Sequence, residues 1–189
     1  DNHPQNINPY PKHSRICIGY FSPDFREHPV AFLTAGLYEM HDRDHFEIHA
    51  FSYGPDTNDG MNLRIKAGVD HFHNVEAMSH KDITLLARSL EIDIAIDLGG
   101  FTAEARTDIF AMSAAPIQLS YIGWLVTMAA DYYDYLIADP VMIPKESQQH
   151  YAEKIVYLPS FQVNDSKDLP PDITLTRKDV GLPETGFVF

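Results

Sequence analysis

Hydrophobic positions along this chain fall into two alternating rhythms. Ile16 to Phe21 form a short apolar run that predicts a buried strand; Val30, Leu33, Leu37 and Met40 then recur at helical spacing as far as Asp42. Phe46 to Phe51 (FEIHAF) alternates with a period of two and predicts a second strand. Tyr53 to Asn62, with GPDTNDG inside it, predicts a surface loop. A short helix over Leu63 to Ala67 and a strand over His71 to Val75 follow. Ser79, answered by Asp82 three residues on, is a capping box, and Ile83, Leu86, Ala87 and Leu90 give its helix an apolar face. Ile92 to Leu98 (IDIAIDL) is the next strand, closed by Gly99 and Gly100. Thr102 is placed to cap a helix over Ala103 to Met112. Pro116 to Ile122, Tyr135 to Ala138 and Ile155 to Leu158 complete the strands, with a helix near Lys145 to Tyr151 between the last two.

Strands that alternate with helices at this spacing predict an α/β domain over residues 15–164, a parallel sheet with helices on both faces. Residues 1–14 are polar and Pro-rich and read as a linker, as do 165–172. Residues 173–189 hold a second capping box, Thr176 with Asp179, and end on the apolar run FVF. They read as the start of a further domain, and the chain as a piece of a longer one. Open sheets of this kind bind ligands at the carboxyl ends of strands, where strand order reverses. That rule selects four segments, 22–29, 52–62, 99–106 and 123–131, all rich in Gly, Pro and polar residues.

Charge removes some partners. Lys and Arg number 14 against 27 acids, a formal net charge of −13, so no basic face is expected for nucleic acid. An anionic small molecule stays open, because a helix N-terminus and one or two arginines hold phosphate locally. No apolar run approaches the length of a membrane span, and the first residues lack a signal-peptide pattern. The single Cys17 leaves no internal disulfide or multi-cysteine metal site. A cytoplasmic location is expected. The sequence contains no G-x-G-x-x-G, G-x-x-x-x-G-K-[ST] or G-x-S-x-G, which counts against dehydrogenase, P-loop and typical α/β-hydrolase chemistry.

Histidines are the richest candidate chemistry. His41, His45 and His49 would align only on a helix, and FEIHAF reads as strand. His71 and His73 would share one strand face, but no third ligand is evident, so no metal site is expected. His28 precedes Pro29, which suits a first helical turn. Its imidazole would sit at a helix N-terminus, where the partial positive charge disfavours protonation. It reads either as a capping surface histidine or as an acceptor of a substrate proton. Gly99 and Gly100 read as a tight turn or a backbone approach to ligand, and Arg106 as an exposed ion pair or an anion contact.

GYFSPDFREHP (19–29), NLRIKAGVDHF (62–72), DLGGFTAEAR (97–106), APIQLSYIGW (115–124), DYLIADPVMIP (134–144) and HYAEKIVYLP (150–159) occur in that order. Together they resemble the catalytic region of the O-linked N-acetylglucosamine transferase family, over nearly all of 15–189. The resemblance implies the N-terminal lobe of a two-lobed (GT-B) glycosyltransferase with Rossmann-like lobes, commonly preceded by tetratricopeptide repeats. It implies transfer of N-acetylglucosamine, or a related hexose, from a UDP-sugar to Ser or Thr of a protein or peptide acceptor. That reaction inverts the anomeric centre without a metal; the UDP-sugar is a co-substrate and no cofactor is needed. The resemblance implies His28 and His71 as catalytic histidines, with Asp24, Gly100, Thr102, Gly123 and Thr127 touching substrate. It also implies a missing C-terminal lobe that supplies most diphosphate contacts, leaving this lobe inactive alone. Two departures stand out. Gly123 to Ala129 reads GWLVTMA where the family has G-[YF]-P-G-T-x-G, and Ser113 replaces the arginine of R-P-A-P-I-Q. Val126 and Ala129, in place of glycines, are expected to resist positive φ. The alternative reading is therefore a divergent, inactive lobe that serves as a protein-interaction module.

Overall fold

The computed structural model describes residues 7–11, 13–163, 165, 167 and 174–188. Its strands are β1 (Ile16–Ser22), β2 (Phe46–Ser52), β3 (His71–Asn74), β4 (Ile94–Asp97), β5 (Ile117–Ser120), β6 (Tyr135–Ala138) and β7 (Lys154–Tyr157). They form one sheet in the order β3-β2-β1-β4-β5-β6-β7, every pair parallel. The helices are α1 (Pro29–Met40), α2 (Gly60–Gly68), α3 (His80–Ser89) and α4 (Asp108–Ala111), with a 3-10 helix at Lys145–His150. The chain builds outward from β1 through β2 to β3, then returns to the other side of β1 with β4. Strand order therefore reverses between β1 and β4.

Side chains on β1 show why both faces are covered. Successive residues of a strand point to opposite faces. Ile18 and Tyr20 pack with Ala31, Ala35 and Tyr38 of α1 and Ile65 of α2. Cys17 and Phe21 pack on the other side with Ile83 and Ala87 of α3 and Ile109 and Phe110 of α4. A strand buried on both faces reads as a continuous apolar run, as ICIGYF does. The expected Rossmann-like parallel sheet with helices on both faces is the fold observed.

Several elements differ from expectation. The fully buried face of α1 is Ala31, Thr34, Ala35 and Tyr38, while Met40 is 75% exposed. Two alanines let the helix approach the sheet closely, and the larger Val30, Leu33 and Leu37 flank that line. The α2 helix begins three residues early because Asp59 caps it, accepting from the Asn62 amide at 2.8 Å. The helix expected over 103–112 shrinks to α4, and Thr102 caps nothing. The Thr102 amide and hydroxyl both turn back to the Gly99 carbonyl, at 3.3 and 2.8 Å. Glu104 then adopts φ 64°, in the left-handed region, which halts a helix there.

Toward the ends, 1–6, 12, 164, 166, 168–173 and 189 lie outside the described residues, and with them part of each expected linker. The Thr176 and Asp179 capping box forms, the Thr176 hydroxyl donating to Asp179 Oδ2 at 2.6 Å. A turn follows it, and no strand forms among the described residues 174–188. No helix among the described residues is long and apolar enough to cross a membrane.

Candidate active site

The β1–α1 turn concentrates polar side chains because the strand ends and the helix begins within a few residues. His28 is the cap of α1, extended at φ −151° and ψ 148°, and Pro29 opens the first helical turn. The Val30 amide donates to His28 Nδ1 at 3.3 Å, and Asp24 Oδ2 lies 3.5 Å from the same nitrogen. Asp24 is buried; Arg26 donates to its Oδ1 at 3.2 Å and reaches Glu104 Oε2 at 3.6 Å. The start of α2 supports this turn from beside it. Asp59 Oδ2 accepts from the Glu27 amide at 2.9 Å, and buried Asn62 donates to the Phe25 carbonyl at 2.6 Å. A Cβ on Gly54 would sit 1.9 Å from the Pro23 carbonyl oxygen, so only glycine permits the contact.

Across the reversal point, β4 ends in Asp97, which is almost fully buried. Its Oδ1 accepts from the amides of Gly99 and Gly100 at 2.9 and 3.1 Å, and its Oδ2 from the Tyr133 hydroxyl at 2.5 Å. Burial pushes this carboxyl above the usual carboxylate range, against the downward pull of those three donors. The bonds fix the Gly99–Thr102 turn. Gly100 has φ 57°, and a Cβ there would lie 2.2 Å from Trp124 Cβ; one on Gly123 would lie 1.9 Å from the Leu98 carbonyl oxygen. The chain after β5 thus rests directly on the chain after β4.

Between these segments lies a cavity of about 240 Å³. Asp24, Arg26, His28 and Val30 line it from the first segment, Thr102, Ala103 and Glu104 from the second, and Gly123 from the third. It occupies the position that the reversal of strand order selects. Of the expected site residues, Asp24, His28, Thr102 and Gly123 come together here. Gly100 lies just behind, beneath Trp124. Segment 52–62 supports the site and does not line it.

Thr127 and His71 lie elsewhere. The Thr127 hydroxyl donates to buried Glu153 at 2.8 Å and accepts from the amides of Ala129 and Ala152 at 2.9 and 3.3 Å. Ala129 does adopt a left-handed φ, 49°, and Ile122 does so at 62°, while Leu125 and Val126 stand half-exposed. His71 begins edge strand β3, level with His49 and two strands from β1. Its Nε2 lies 3.0 Å from Glu47 Oε1. Sequence reasoning missed Val30, Ala103, Glu104 and the pairing of Arg26. Glu104 carried no signal, since a helix was expected to run through it. Arg106, expected to meet an anion or an exposed acid, instead donates to the Met78 carbonyl at 2.6 Å and lies over the Tyr53 ring.

Comparison with known proteins agrees with this fold. The family description Glycosyl transferase family 41 matches residues 2–180. The chain is 39% identical over 181 residues to the probable UDP-N-acetylglucosamine–peptide N-acetylglucosaminyltransferase SEC of Arabidopsis thaliana, covering 93% of this chain and 18% of that protein. The UDP-N-acetylglucosamine–peptide N-acetylglucosaminyltransferase of Caenorhabditis elegans is 34% identical over 164 residues, covering 85% of this chain and 14% of its own. A solved mutant of the Thermobaculum terrenum O-GlcNAc transferase superposes with a TM-score of 0.78 at 30% identity, over 90% of this chain and 32% of that one. The chain thus spans less than a fifth of these curated relatives. The match along nearly its whole length, on a sheet whose reversal point opens into this cavity, places the chain in glycosyl transferase family 41.

Proposed function

We propose that this chain is the acceptor-side lobe of a protein glycosyltransferase. The full protein moves N-acetylglucosamine, or a related hexose, from its uridine diphosphate conjugate to a serine or threonine hydroxyl, with inversion and without a metal. The names of the relatives support the donor and the peptide acceptor. The observation that carries the reading is the convergence of His28, Asp24 and Thr102 on one cavity where strand order reverses.

In such a transfer the acceptor hydroxyl must lose a proton while a diphosphate leaves. His28 Nδ1 lies between two partners with opposite demands. When it accepts from the Val30 amide, Nε2 carries the proton and can only donate. When Nδ1–H turns to Asp24 Oδ2, the Nε2 lone pair is released to accept the hydroxyl proton. The distances of 3.3 and 3.5 Å differ little, so a small shift of the ring selects the basic form.

Diphosphate charge is the part this lobe does not answer. Among the described residues, Arg26 is the only cation lining the cavity, and both Asp24 and Glu104 already engage it. The cavity is also smaller than the roughly 300–1,000 Å³ of most ligand sites. A second lobe, closing over the cleft, is the natural source of the missing positive charge, and without it this lobe is inactive.

The test is release of uridine diphosphate from the donor by the full-length protein with peptide acceptors. Turnover above background, lowered in His28→Ala, is expected. Absence of turnover sinks the transferase reading and leaves the interaction module, which the half-exposed Leu125 and Val126 beside the cleft favour.

A further inference from the structure

Away from the cleft, four polar side chains gather on the outer part of the sheet. Glu47 and His49 lie two residues apart on β2 and share a face, as His71 and His73 do on β3, and the register pairs His49 with His71. His71 Nε2 lies 3.0 Å from Glu47 Oε1, and His49 Nε2 lies 3.4 Å from the same oxygen. The two rings have centroids 4.6 Å apart, and the three donor atoms all lie within 4.8 Å of one another.

His49 is the informative member. Its side chain is 4% exposed, and its Nε2 has no hydrogen-bond partner. An unpaired polar atom in that setting is destabilising, which asks for a compensating ligand. Its other nitrogen is occupied, with Nδ1 3.0 Å from His73 Nε2. One of those two nitrogens must donate. If His49 Nδ1–H is the donor, the Nε2 lone pair is left free beside Glu47 and His71.

We propose that Glu47, His49 and His71 form a binding site for a divalent ion of the zinc class, with His73 holding His49 in its ligating tautomer. Two imidazoles and a carboxylate suit such an ion, and bonds near 2.0–2.1 Å in a tetrahedron set ligand atoms about 3.4 Å apart. The two edges to Glu47, 3.0 and 3.4 Å, are already close to that spacing, and the edge between His49 and His71 is no more than 4.8 Å. Arg15 binds the other carboxylate oxygen, Oε2, and leaves Oε1 to the ion. His71 is half-exposed, which gives the ion and a fourth ligand, water, access. Glu47 and His49, the ligands that the sequence did not reveal beside His71, stand on the neighbouring strand. The bound ion would join β2 to edge strand β3, and the site is independent of the transferase reading.

The protein, stripped with a chelator and titrated with Zn²⁺ alone by calorimetry, tests this. One saturable equivalent is expected, weakened about 100-fold or more in His71→Ala and about 10-fold in His73→Ala. Because His71 is half-exposed, circular dichroism should show His71→Ala folded. Cys17→Ser, in the separate group of His13, Cys17 and Asp93, should leave that equivalent unchanged. Zinc binding by His71→Ala with wild-type affinity and stoichiometry, or its loss in Cys17→Ser, overturns the assignment, as does the absence of saturable binding.

Discussion

The β1–α1 turn and the loop after β5 both border the cavity, and both were expected from sequence to touch substrate. They use their polar atoms in opposite ways. In the loop after β5 the Thr127 hydroxyl makes one donation and two acceptances, its full capacity. The Met128 amide goes to Glu153 at 2.6 Å, and Trp124 Nε1 to the Thr127 carbonyl at 3.3 Å. The Thr127 hydroxyl has nothing left to meet a ligand. In the β1–α1 turn, His28 has two suitors for Nδ1 and none for Nε2 among the described residues. The lesson is that a site residue is marked by the bonding capacity it keeps open, more than by its place in a motif.

The largest effect expected on this contrast comes from Gly123→Ala. Its Cβ would lie 1.9 Å from the Leu98 carbonyl oxygen, so the two chain segments must part. Destabilisation above about 4 kcal/mol is expected in urea unfolding, and a loss below about 1 kcal/mol would show that the loop is soft. His28→Ala comes next. In the full-length protein kcat should fall by about 100-fold or more, with the unfolding midpoint shifted only by the lost helix cap, about 1 kcal/mol. Equal loss of stability and activity would place His28 with Thr127, as structure alone.

Glu153→Gln breaks the other side of the contrast. The new amide presents a donor to the Thr127 hydroxyl or the Met128 amide, and about 1–3 kcal/mol of stability should be lost. Thermal denaturation reads it, and no change would mean that the loop is held elsewhere. The smallest effect lies outside both loops. Arg64, and after it Lys167, hold the Glu39 carboxyl down to about 2 from 4.5. A depressed carboxyl contributes stability that is present above the unfolded value and lost as pH falls through the folded one. Stability should therefore decline between about pH 4.5 and 2, by about 1 kcal/mol after allowing for solvent around a surface network. Glu39→Gln should remove that part of the pH profile.

The fold was legible because its signal is local and repeated. ICIGYF, FEIHAF and IDIAIDL are strands, and Ser79 with Asp82 caps α3 as expected. The helix over 103–112 failed because Thr102 and Glu104 obey a turn built around Asp97, and one of its partners, Tyr133, lies far along the chain. In the site, the turn at 22–29 announced itself by its density of polar groups, and His28 by its place before Pro29. Thr127 and His71 fall outside the cavity for a different reason. Whether a hydroxyl is saturated by Glu153, or an imidazole faces β2, depends on strand neighbours that no spacing in one sequence encodes.

The central position of β1 also fixes the order in which this domain can come into being. Within this sheet β1 is made before the other strands, yet its partners are β2 and β4, and β4 ends only at Asp97. Parallel pairs cannot close through a hairpin, so each waits for its crossover to be made. Tyr20 and Phe21 therefore lack half of their walls until the segment through Asp97 has been made, and until then they stand as exposed apolar surface.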